Sequence, residues 1–177
     1  VALIQVPTTL LAMIDSSVGG KTAINIPEGK NLIGTFWPAE TVLIDPAFLT
    51  TPPDADYRSG LGEALKIAIG LDADLFDLME THSTAVLARD EAVLSQVVEH
   101  CIATKIRVVE EDPREAGPRR LLNLGHTMGH AYEAWSNHQI PHGVAVAYGI
   151  ETAIGHALDQ SLMTAADAER GRTLLAT

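Results

Sequence analysis

Three closely spaced histidines carry the strongest chemical signal in this chain. The segment NLGHTMGHAYE places Asn123, His126, His130 and Glu133 at intervals of three, four and three residues. Such intervals put side chains on or near one face of a helix. A further histidine, His142, follows where a second helix could begin. Imidazoles this close together indicate a metal or acid/base site rather than a packed core, and the spacing alone does not choose between the two.

A carboxylate further upstream could supply an oxygen ligand to the same site. The segment SGLGEALK places Glu63 one helical turn before Lys66 among Leu, Ala and Gly. A carboxylate on an apolar helix costs free energy unless it is paired or bound to a metal. One interpretation is an ordinary ion pair between Glu63 and Lys66. The other is a site formed by Glu63, His126 and His142, and three protein ligands with an open fourth position are typical of catalytic zinc.

Two short segments rich in glycine and lysine indicate an anion site. DSSVGGKT ends like a phosphate-binding Walker loop, but that motif needs glycine at the position of Asp15, so the Walker interpretation fails. What remains is Lys21, directly after two glycines that let a backbone approach a ligand closely. The segment GKN adds Lys30 beside Asn31. Lys30 paired with Lys21 across two adjoining strands would form an anion pocket.

The overall charge limits the class of partner. The 177 residues carry a net charge of −11, which argues against nucleic acid and anionic membranes as partners. If the substrate is an anion, the cations that hold it must therefore be local. Lys105 and Arg119 lie in segments that could face the same pocket as Lys21, although each alone is more often a surface charge.

Composition indicates a globular protein of the cytoplasm. Apolar residues make up 46% of the chain, enough for a real core. The single cysteine, Cys101, excludes an internal disulfide framework, fits a reducing compartment and is expected to be buried. The chain contains no run of about 18 apolar residues, so we expect no membrane span. The first residues lack the features of a signal peptide and there is no initiator Met, so we expect a fragment cut at both ends.

The secondary-structure pattern changes near residue 50. Before that point the sequence has β character, with a short buried strand at VALIQV and a connecting loop at PEGKNLIG. After it the pattern is helical, so the fold class is α/β followed by all-α. The predicted strands are 1–6, 22–26 and 41–45, and the predicted helices are 51–70, 74–81, 90–111, 119–136, 142–159 and 164–177.

These motifs together resemble the 3-dehydroquinate synthases, within the sugar phosphate cyclases. The resemblance is carried in order by VPTTLLAMIDSSVGGKTAIN, GKNLIG, SGLGEALK, LLNLGHTMGHAYE and HG, as far as about Gly149. It implies that residues 1–50 end an α/β domain that binds NAD, and that residues 51–177 belong to a helical domain, incomplete at its C-terminus, that binds metal and substrate. It also implies a homodimer and one divalent metal, usually zinc, with cobalt as another possibility.

The resemblance further implies a reaction and residue roles. The reaction converts 3-deoxy-D-arabino-heptulosonate 7-phosphate to 3-dehydroquinate and phosphate by transient oxidation by NAD, phosphate elimination, re-reduction and an intramolecular aldol step. The positions that match metal ligands are Glu63, His126 and His142. Those that match NAD contacts are Thr8, Thr9, Lys21, Lys30, Phe48, Leu49, Thr50 and Thr51. Those that match the substrate pocket are Asp15, Lys66, Asn123 and His130 as catalytic residues, with Lys21, Asn31, Lys105 and Arg119 as substrate-binding residues.

The sequence departs from the family pattern at one position and leaves rival functions open. Val144 follows the HG pair where the family often has glutamate. Because the glycine-rich NAD segments should lie upstream, we expect the chain alone to bind NAD weakly and to be inactive. The rivals are another cyclase, such as 2-deoxy-scyllo-inosose synthase or a valiolone-type cyclase, an iron-dependent alcohol dehydrogenase, and a non-catalytic helical module stabilised by a metal.

Overall fold

The computed structural model describes residues 1–27, 29–113 and 115–177, and for Asn25 and residues 29–31 it describes the backbone only. The side chains of Lys30 and Asn31, which the sequence assigns to an anion pocket, therefore lie outside the described part. The strands are β1 (Ile4–Gln5), β2 (Lys21–Ile26), β3 (Gly29–Phe36) and β4 (Thr41–Val42). The α-helices are α1 (Asp54–Leu71), α2 (Ala73–Thr81), α3 (Ser83–Leu87), α4 (Glu91–Glu111), α5 (His126–Trp135), α6 (His142–Asp159) and α7 (Ala165–Ala176).

The β part consists of two small two-stranded sheets. β1 pairs in parallel with β4, and β2 pairs with β3 in an antiparallel hairpin. The prediction of a loop over PEGKNLIG was wrong, since β3 covers most of it. The prediction of a buried first strand was also wrong, because Ile4 and Val6 are exposed. Ile24 and Ile33 of the hairpin are exposed too, so the described side chains of the hairpin do not show the alternate burial that marks a half-buried strand.

The hairpin register gives the backbone positions of the two lysines assigned to an anion pocket. Lys21 lies opposite Phe36, whereas Gly29, next to Lys30, lies opposite Ile26 at the turn end. The two lysines are therefore separated along the hairpin by about four residues, roughly 13 Å. Because the side chain of Lys30 lies outside the described part, the anion pocket formed by Lys21 and Lys30 stays a prediction.

α1 is the central helix of the helical part. It packs against α2, α4, α6 and α7, and its side chains are buried from Ser59 to Ala68. Asp54 and Asp56 lie in its first turn, where negative charge complements the helix dipole. Cys101 of α4 is fully buried in the same core, as predicted, and burial raises the pKa of its thiol. The central position of α1 explains how a polar side chain on it can be removed from solvent.

The predicted helix over residues 119–136 is interrupted. Pro118–Asn123 form a 3-10 turn, and α5 begins only at His126. Between them Gly125 adopts a left-handed backbone with φ of 77°. A Cβ there would lie 2.6 Å from the Val146 carbonyl oxygen, so glycine also permits close contact with α6. Asn123 therefore does not share a helical stripe with His126, and that part of the prediction was wrong.

α1 and α6 approach each other through small residues. A Cβ on Gly143 would lie 1.7 Å from the Ser59 carbonyl oxygen, and one on Gly62 would lie 2.0 Å from the Gly143 carbonyl oxygen. The Ser59 Oγ accepts a hydrogen bond of 2.9 Å from the Gly143 N–H. These contacts fix the first turn of α6, which carries His142, against the turn of α1 that precedes Glu63.

The described helices have no membrane-spanning candidate, since none combines the length and apolar character that a bilayer crossing needs.

Candidate metal centre and adjoining cavity

Side chains from three helices converge on one point. Glu63 of α1, His126 of α5 and His142 of α6 each offer a ligand atom, and these atoms all lie within 4.8 Å of one another. The Nε2 atoms of His126 and His142 are 3.7 and 3.4 Å from Glu63 Oε1. The structure thus brings together the three residues that the sequence combined into one candidate site.

One oxygen at this point lacks a hydrogen-bond donor. Glu63 is fully buried, and its Oε1 is the one buried side-chain polar atom of the described residues without a hydrogen-bond partner. A buried carboxylate oxygen in that state is costly unless a cation binds it. Two imidazole nitrogens and one carboxylate oxygen are ligands that zinc prefers, so the residues present fit a divalent metal.

The second oxygen of Glu63 has a different partner. Glu63 Oε2 forms an ion pair with the ammonium of Lys66, which is buried one turn further along α1. Burial alone would raise the pKa of Glu63, but His142 and Lys66 beside the carboxylate outweigh it, so the pKa is lowered. The ion pair expected from the sequence is therefore present and leaves Oε1 directed at the histidines.

Each of the two histidines has its other ring nitrogen held by an oxygen. His126 Nδ1 lies 3.3 Å from the Leu124 carbonyl oxygen, and His142 Nδ1 lies 3.4 Å from Glu133 Oε2. Burial lowers the pKa of His126, whereas the Glu63 carboxylate raises the pKa of His142. Both rings therefore present Nε2 to the same carboxylate oxygen.

His130 lies beside this cluster without joining it. Its ring centroid is 5.4 Å from that of His126 and 6.0 Å from that of His142. Its side chain is 61% exposed, and its Nε2 lies 4.0 Å from Glu133 Oε2. Of this i,i+4 pair, the His126 imidazole therefore faces the cluster, whereas the His130 imidazole is largely exposed to solvent.

A cavity of about 690 Å³ adjoins the cluster at His126. It is lined by residues of the β2–β3 hairpin, the turn that contains Asp15, α1, α4 and the 3-10 turn Pro118–Asn123. Thr8, Thr9 and residues 48–51 are not among the described residues that line it. The residues singled out in the sequence that line it are Asp15, Lys21, Lys66, Lys105, Arg119, Asn123 and His126.

Lys105 enters the cavity wall from α4 and is held by Asp15. Its ammonium donates to the carboxylate and to the backbone carbonyl of Asp15. Burial lowers the pKa of Lys105, and the Asp15 carboxylate counteracts this shift. Asp15 lies in a π-helical turn, Ala12–Ser16, which places its backbone carbonyl and its carboxylate within reach of Lys105.

Arg119 is a buried cation bound only to carbonyl groups within the described residues. Its guanidinium donates to the carbonyl oxygens of Pro113 at 3.0 Å and of Gly19 at 3.5 Å. Asp112 holds the loop that carries it, accepting hydrogen bonds from the backbone N–H groups of Ala116, Gly117 and Arg119 at 2.9, 2.6 and 3.2 Å. The positive charge of Arg119 is therefore available to an anion in the cavity.

Sequence reasoning missed Glu115, which joins two of the predicted residues. Its Oε2 lies 2.5 Å from Lys21 Nζ, and its Oε1 accepts a hydrogen bond of 2.7 Å from Asn123 Nδ2. These two partners lower the pKa of Glu115. The segment EDPREAGPRR mixes acidic and basic residues as a solvated loop does, so the sequence carried no signal for it.

Of the residues that the resemblance assigns to NAD, Lys21 lines the cavity, whereas Thr8, Thr9 and residues 48–51 do not. Thr8 is exposed, and Thr9 caps the following turn by accepting a hydrogen bond from the Ala12 N–H. The segment Phe48–Thr51 belongs to a 3-10 turn and its cap. Within it the Leu49 side chain is buried in the core, so only its backbone could face a cofactor.

Comparison with known proteins places this site in a family. The model described as 3-dehydroquinate synthase N-terminal matches residues 1–59, and the model described as 3-dehydroquinate synthase C-terminal matches residues 60–177. The chain belongs to the 3-dehydroquinate synthase family. Family membership confirms the resemblance that the five motifs indicated.

Full-length members of the family give the scale of the match. The chain is 48% identical over 176 residues to the 3-dehydroquinate synthase of Geobacter metallireducens, covering 99% of this chain and 49% of that protein. It is 46% identical over 180 residues to the 3-dehydroquinate synthase of Nitrosomonas europaea, covering 98% of this chain and 47% of that protein. The chain thus spans about half the length of the curated relatives it matches.

Solved structures of related cyclases share the fold. The 2-epi-5-epi-valiolone synthase ValA of Streptomyces hygroscopicus subsp. jinggangensis 5008, solved with NAD⁺ and Zn²⁺, superposes with a TM-score of 0.89 at 33% identity, covering 99% of this chain and 50% of that one. A 2-deoxy-scyllo-inosose synthase, solved with carbaglucose-6-phosphate, NAD⁺ and Co²⁺, has a TM-score of 0.91 at 33% identity, covering 99% and 48%. These matches confirm the predicted fold class, a β-containing edge followed by a helical part.

Proposed function

We propose that this chain supplies the metal- and substrate-binding part of a 3-dehydroquinate synthase. The observation that carries the proposal is the convergence of Glu63, His126 and His142 beside a cavity lined with cations. Family membership and 44–49% identity to 3-dehydroquinate synthases support this cyclase over its relatives. In this proposal residues 1–50 end an NAD-binding domain, and residues 51–177 form the helical domain.

Glu63, His126 and His142 would hold the metal. Zinc at such a site lowers the pKa of a bound alcohol and polarises a carbonyl. Lys66 neutralises Glu63 Oε2, so Oε1 would remain available to a metal, and Leu124 and Glu133 hold the other nitrogens of the two histidines. The support for this assignment is the donor set together with the unsatisfied Oε1 atom.

The cavity suits a phosphorylated sugar acid. Lys105 and Arg119 would bind the substrate carboxylate, and a guanidinium can do so through two parallel hydrogen bonds. Lys21, Asn31 and His130 would lie near the phosphate. With a net charge of −11 on the chain, these local cations must overcome an unfavourable global field.

Three further residues would orient the substrate. Asp15 pairs with Lys105 at the cavity wall and counteracts the lowering of the Lys105 pKa by burial. Asn123 is held by Glu115, so its amide has a defined direction. Lys66 lines the cavity and adjoins the metal set, where its ammonium can stabilise negative charge that develops on the substrate.

Thr8, Thr9, Lys21, Lys30 and residues 48–51 would contact NAD, and a bound NAD would supply a reversible hydride acceptor. The support for this assignment is family membership, together with the NAD⁺ bound in both solved cyclases. Arg89 donates to the carbonyl oxygens of Leu49 and Pro52 and so fixes the backbone of the 48–51 segment. A homodimer and a cytoplasmic location remain predictions from the sequence.

Phosphate release from three substrates tests the proposal. The full-length protein, loaded with zinc and NAD⁺, should release phosphate from 3-deoxy-D-arabino-heptulosonate 7-phosphate and form 3-dehydroquinate. Release only from glucose 6-phosphate or sedoheptulose 7-phosphate would identify another cyclase. A metal-bound protein that is inactive with all three substrates would indicate a non-catalytic module.

A further inference from the structure

The ring of His142 lies between two carboxylates. Its Nε2 is 3.4 Å from Glu63 Oε1, and its Nδ1 is 3.4 Å from Glu133 Oε2. We propose that Glu133 is a positioning residue that fixes the orientation and tautomer of His142, so that Nε2 is presented to the metal. This inference rests on the metal site of the proposed function and adds to it a residue that does not touch the metal.

The surroundings of Glu133 fit this role. Its side chain is 5% exposed although it lies on the short helix α5. It is enclosed because α5 packs closely on α6, where a Cβ on Gly129 would lie 3.1 Å from the Val146 Cα. The contact between Ser59 and Gly143 fixes the first turn of α6. His142 is therefore held on its backbone by α1 and on its ring by Glu133.

The second histidine of the cluster shows the same arrangement. His126 directs Nε2 at Glu63 Oε1 and has Nδ1 3.3 Å from the Leu124 carbonyl oxygen. An acceptor at Nδ1 holds the proton there and leaves the Nε2 lone pair for a metal. The acceptor is a neutral carbonyl for His126 and a carboxylate for His142. A carboxylate makes the bound imidazole a stronger donor, so His142 gains more from its partner.

A different use of Glu133 is less consistent with the geometry. His130, Glu133 and His142 also place ligand atoms within 4.8 Å of one another. In that set His130 is 61% exposed, whereas the Glu63 set contains a fully buried oxygen that lacks a hydrogen bond. A metal bound by the Glu63 set satisfies that oxygen, and one bound by the His130 set does not.

Metal affinity of matched variants tests the inference in the full-length protein. Zinc affinity of the metal-free protein would be measured by competition with a chromophoric chelator for wild type, Glu133→Ala, Glu133→Gln and Glu151→Gln. Glu151 lies on the same helix as His142 and pairs with Arg172 at 2.9 Å, away from the cluster, so it controls for loss of a carboxylate. We expect Glu133→Ala to weaken zinc binding about 10- to 100-fold, Glu133→Gln to weaken it less, and Glu151→Gln to have no effect.

A spectroscopic readout separates positioning from a general loss of stability. Saturating cobalt should give Glu133→Ala an altered visible absorption spectrum, because a reoriented imidazole changes the ligand field, and Glu151→Gln should match wild type. If Glu133→Ala does not fold, the Glu133→Gln affinity and spectrum decide. His130→Asn should bind zinc as wild type does, and a large loss there would overturn the inference in favour of the His130 set.

The outcomes distinguish this inference from the proposed function. If wild type binds zinc and releases phosphate while both Glu133 variants match it in affinity and cobalt spectrum, the positioning role is wrong and the proposed function stands. If wild type binds no zinc, the metal site of the proposed function is wrong and the role of Glu133 falls with it.

Discussion

At Glu63 a single carboxylate serves two partners. Oε2 neutralises Lys66, and Oε1 faces His126 and His142. The two interpretations of the sequence, an ion pair or a metal ligand, were therefore not exclusive. The sequence pattern identifies Glu63 as a candidate but cannot show which partner each carboxylate oxygen contacts. Those contacts depend on helices that lie far apart in the chain.

Glu63→Gln tests the metal role of this residue. The amide removes the negative charge from the cluster, and we expect zinc affinity to fall by at least about 100-fold, more than for loss of an outer partner. The unpaired Lys66 should also cost about 3 kcal/mol of folding free energy. Metal content by mass spectrometry after dialysis gives the result.

The control for that variant is Glu99→Gln, an exposed glutamate on α4. Metal content equal to that of the control, with only the melting temperature reduced, would show that Glu63 has a structural role alone.

Asp112 gives a pH dependence of stability. Backbone N–H groups of Ala116 and Gly117 lower the pKa of its carboxyl group in the folded protein. A lowered folded pKa stabilises the protein above the unfolded pKa of about 4, and this stabilisation is lost as the pH falls below it. Wild type should therefore exceed Asp112→Asn in stability at pH 7, and the difference should shrink toward acid pH.

Urea unfolding midpoints of both forms across this range, with a chelator present, provide the measurement. The chelator removes any contribution of metal binding to the comparison. A difference that stays constant from pH 7 to the acid limit of folding would show that the charge of Asp112 is not what holds the loop of Arg119.

At the scale of elements, close backbone contact decides whether the cluster can form. α1 and α6 meet at Gly62 and Gly143, where side chains cannot fit. The sequence predicted α6 to the residue and α1 to within three residues at its ends, but it did not predict which faces would meet. Helix formation follows from local pattern, whereas the choice of contact face depends on the shape of two distant segments.

Gly143→Ala tests this contact. The added Cβ would lie 1.7 Å from the Ser59 carbonyl oxygen, so the helices must separate. We expect a loss of at least about 3 kcal/mol in the free energy of unfolding, with loss of metal affinity. Gly155→Ala on the same helix is the control, because its Cβ would meet only the Arg172 side chain at 3.6 Å.

The control variant has an expected direction of its own. Alanine in a helix interior should stabilise the protein by about 0.5–1 kcal/mol relative to glycine when there is space for its methyl group. Urea denaturation of both variants measures the comparison. Equal stability of Gly143→Ala and Gly155→Ala would contradict the close approach of α1 and α6.

The elements that the sequence mispredicted share a physical cause. The sequence did not reveal β3, because its described side chains, from Leu32 to Phe36, are all exposed and show no alternation. The break at Gly125 was hidden because LLNLGHTMGHAYE has a continuous helical spacing, and a single glycine is tolerated within such a pattern. In both cases a contact with another element decides the structure. β3 forms by pairing with β2, and the break at Gly125 allows close contact with α6.

For the molecule as a whole, the metal would link three helices. Its ligands come from α1, α5 and α6, so a bound ion opposes their separation during unfolding. Free zinc at 100 times its dissociation constant adds about 2.7 kcal/mol of stability. We expect removal of the metal by a chelator to lower the melting temperature by roughly 5 °C.

A thermal scan with and without the chelator measures this shift. The scan should be repeated with Glu63→Gln, in which the chelator should have little effect. A shift of the same size in wild type and variant would show that the chelator removes a metal bound elsewhere.

The contacts around Ser59 also have a consequence for the order of folding. α5 and α6 are neighbours in the chain, so His126 and His142 can approach through local contacts. Glu63 reaches them only when Ser59 contacts Gly143, which lies 84 residues further along the chain. Closing this loop costs more chain entropy than bringing α5 and α6 together. The rate of zinc uptake during refolding would therefore report when α1 docks on the α5–α6 pair, and not when any single helix forms.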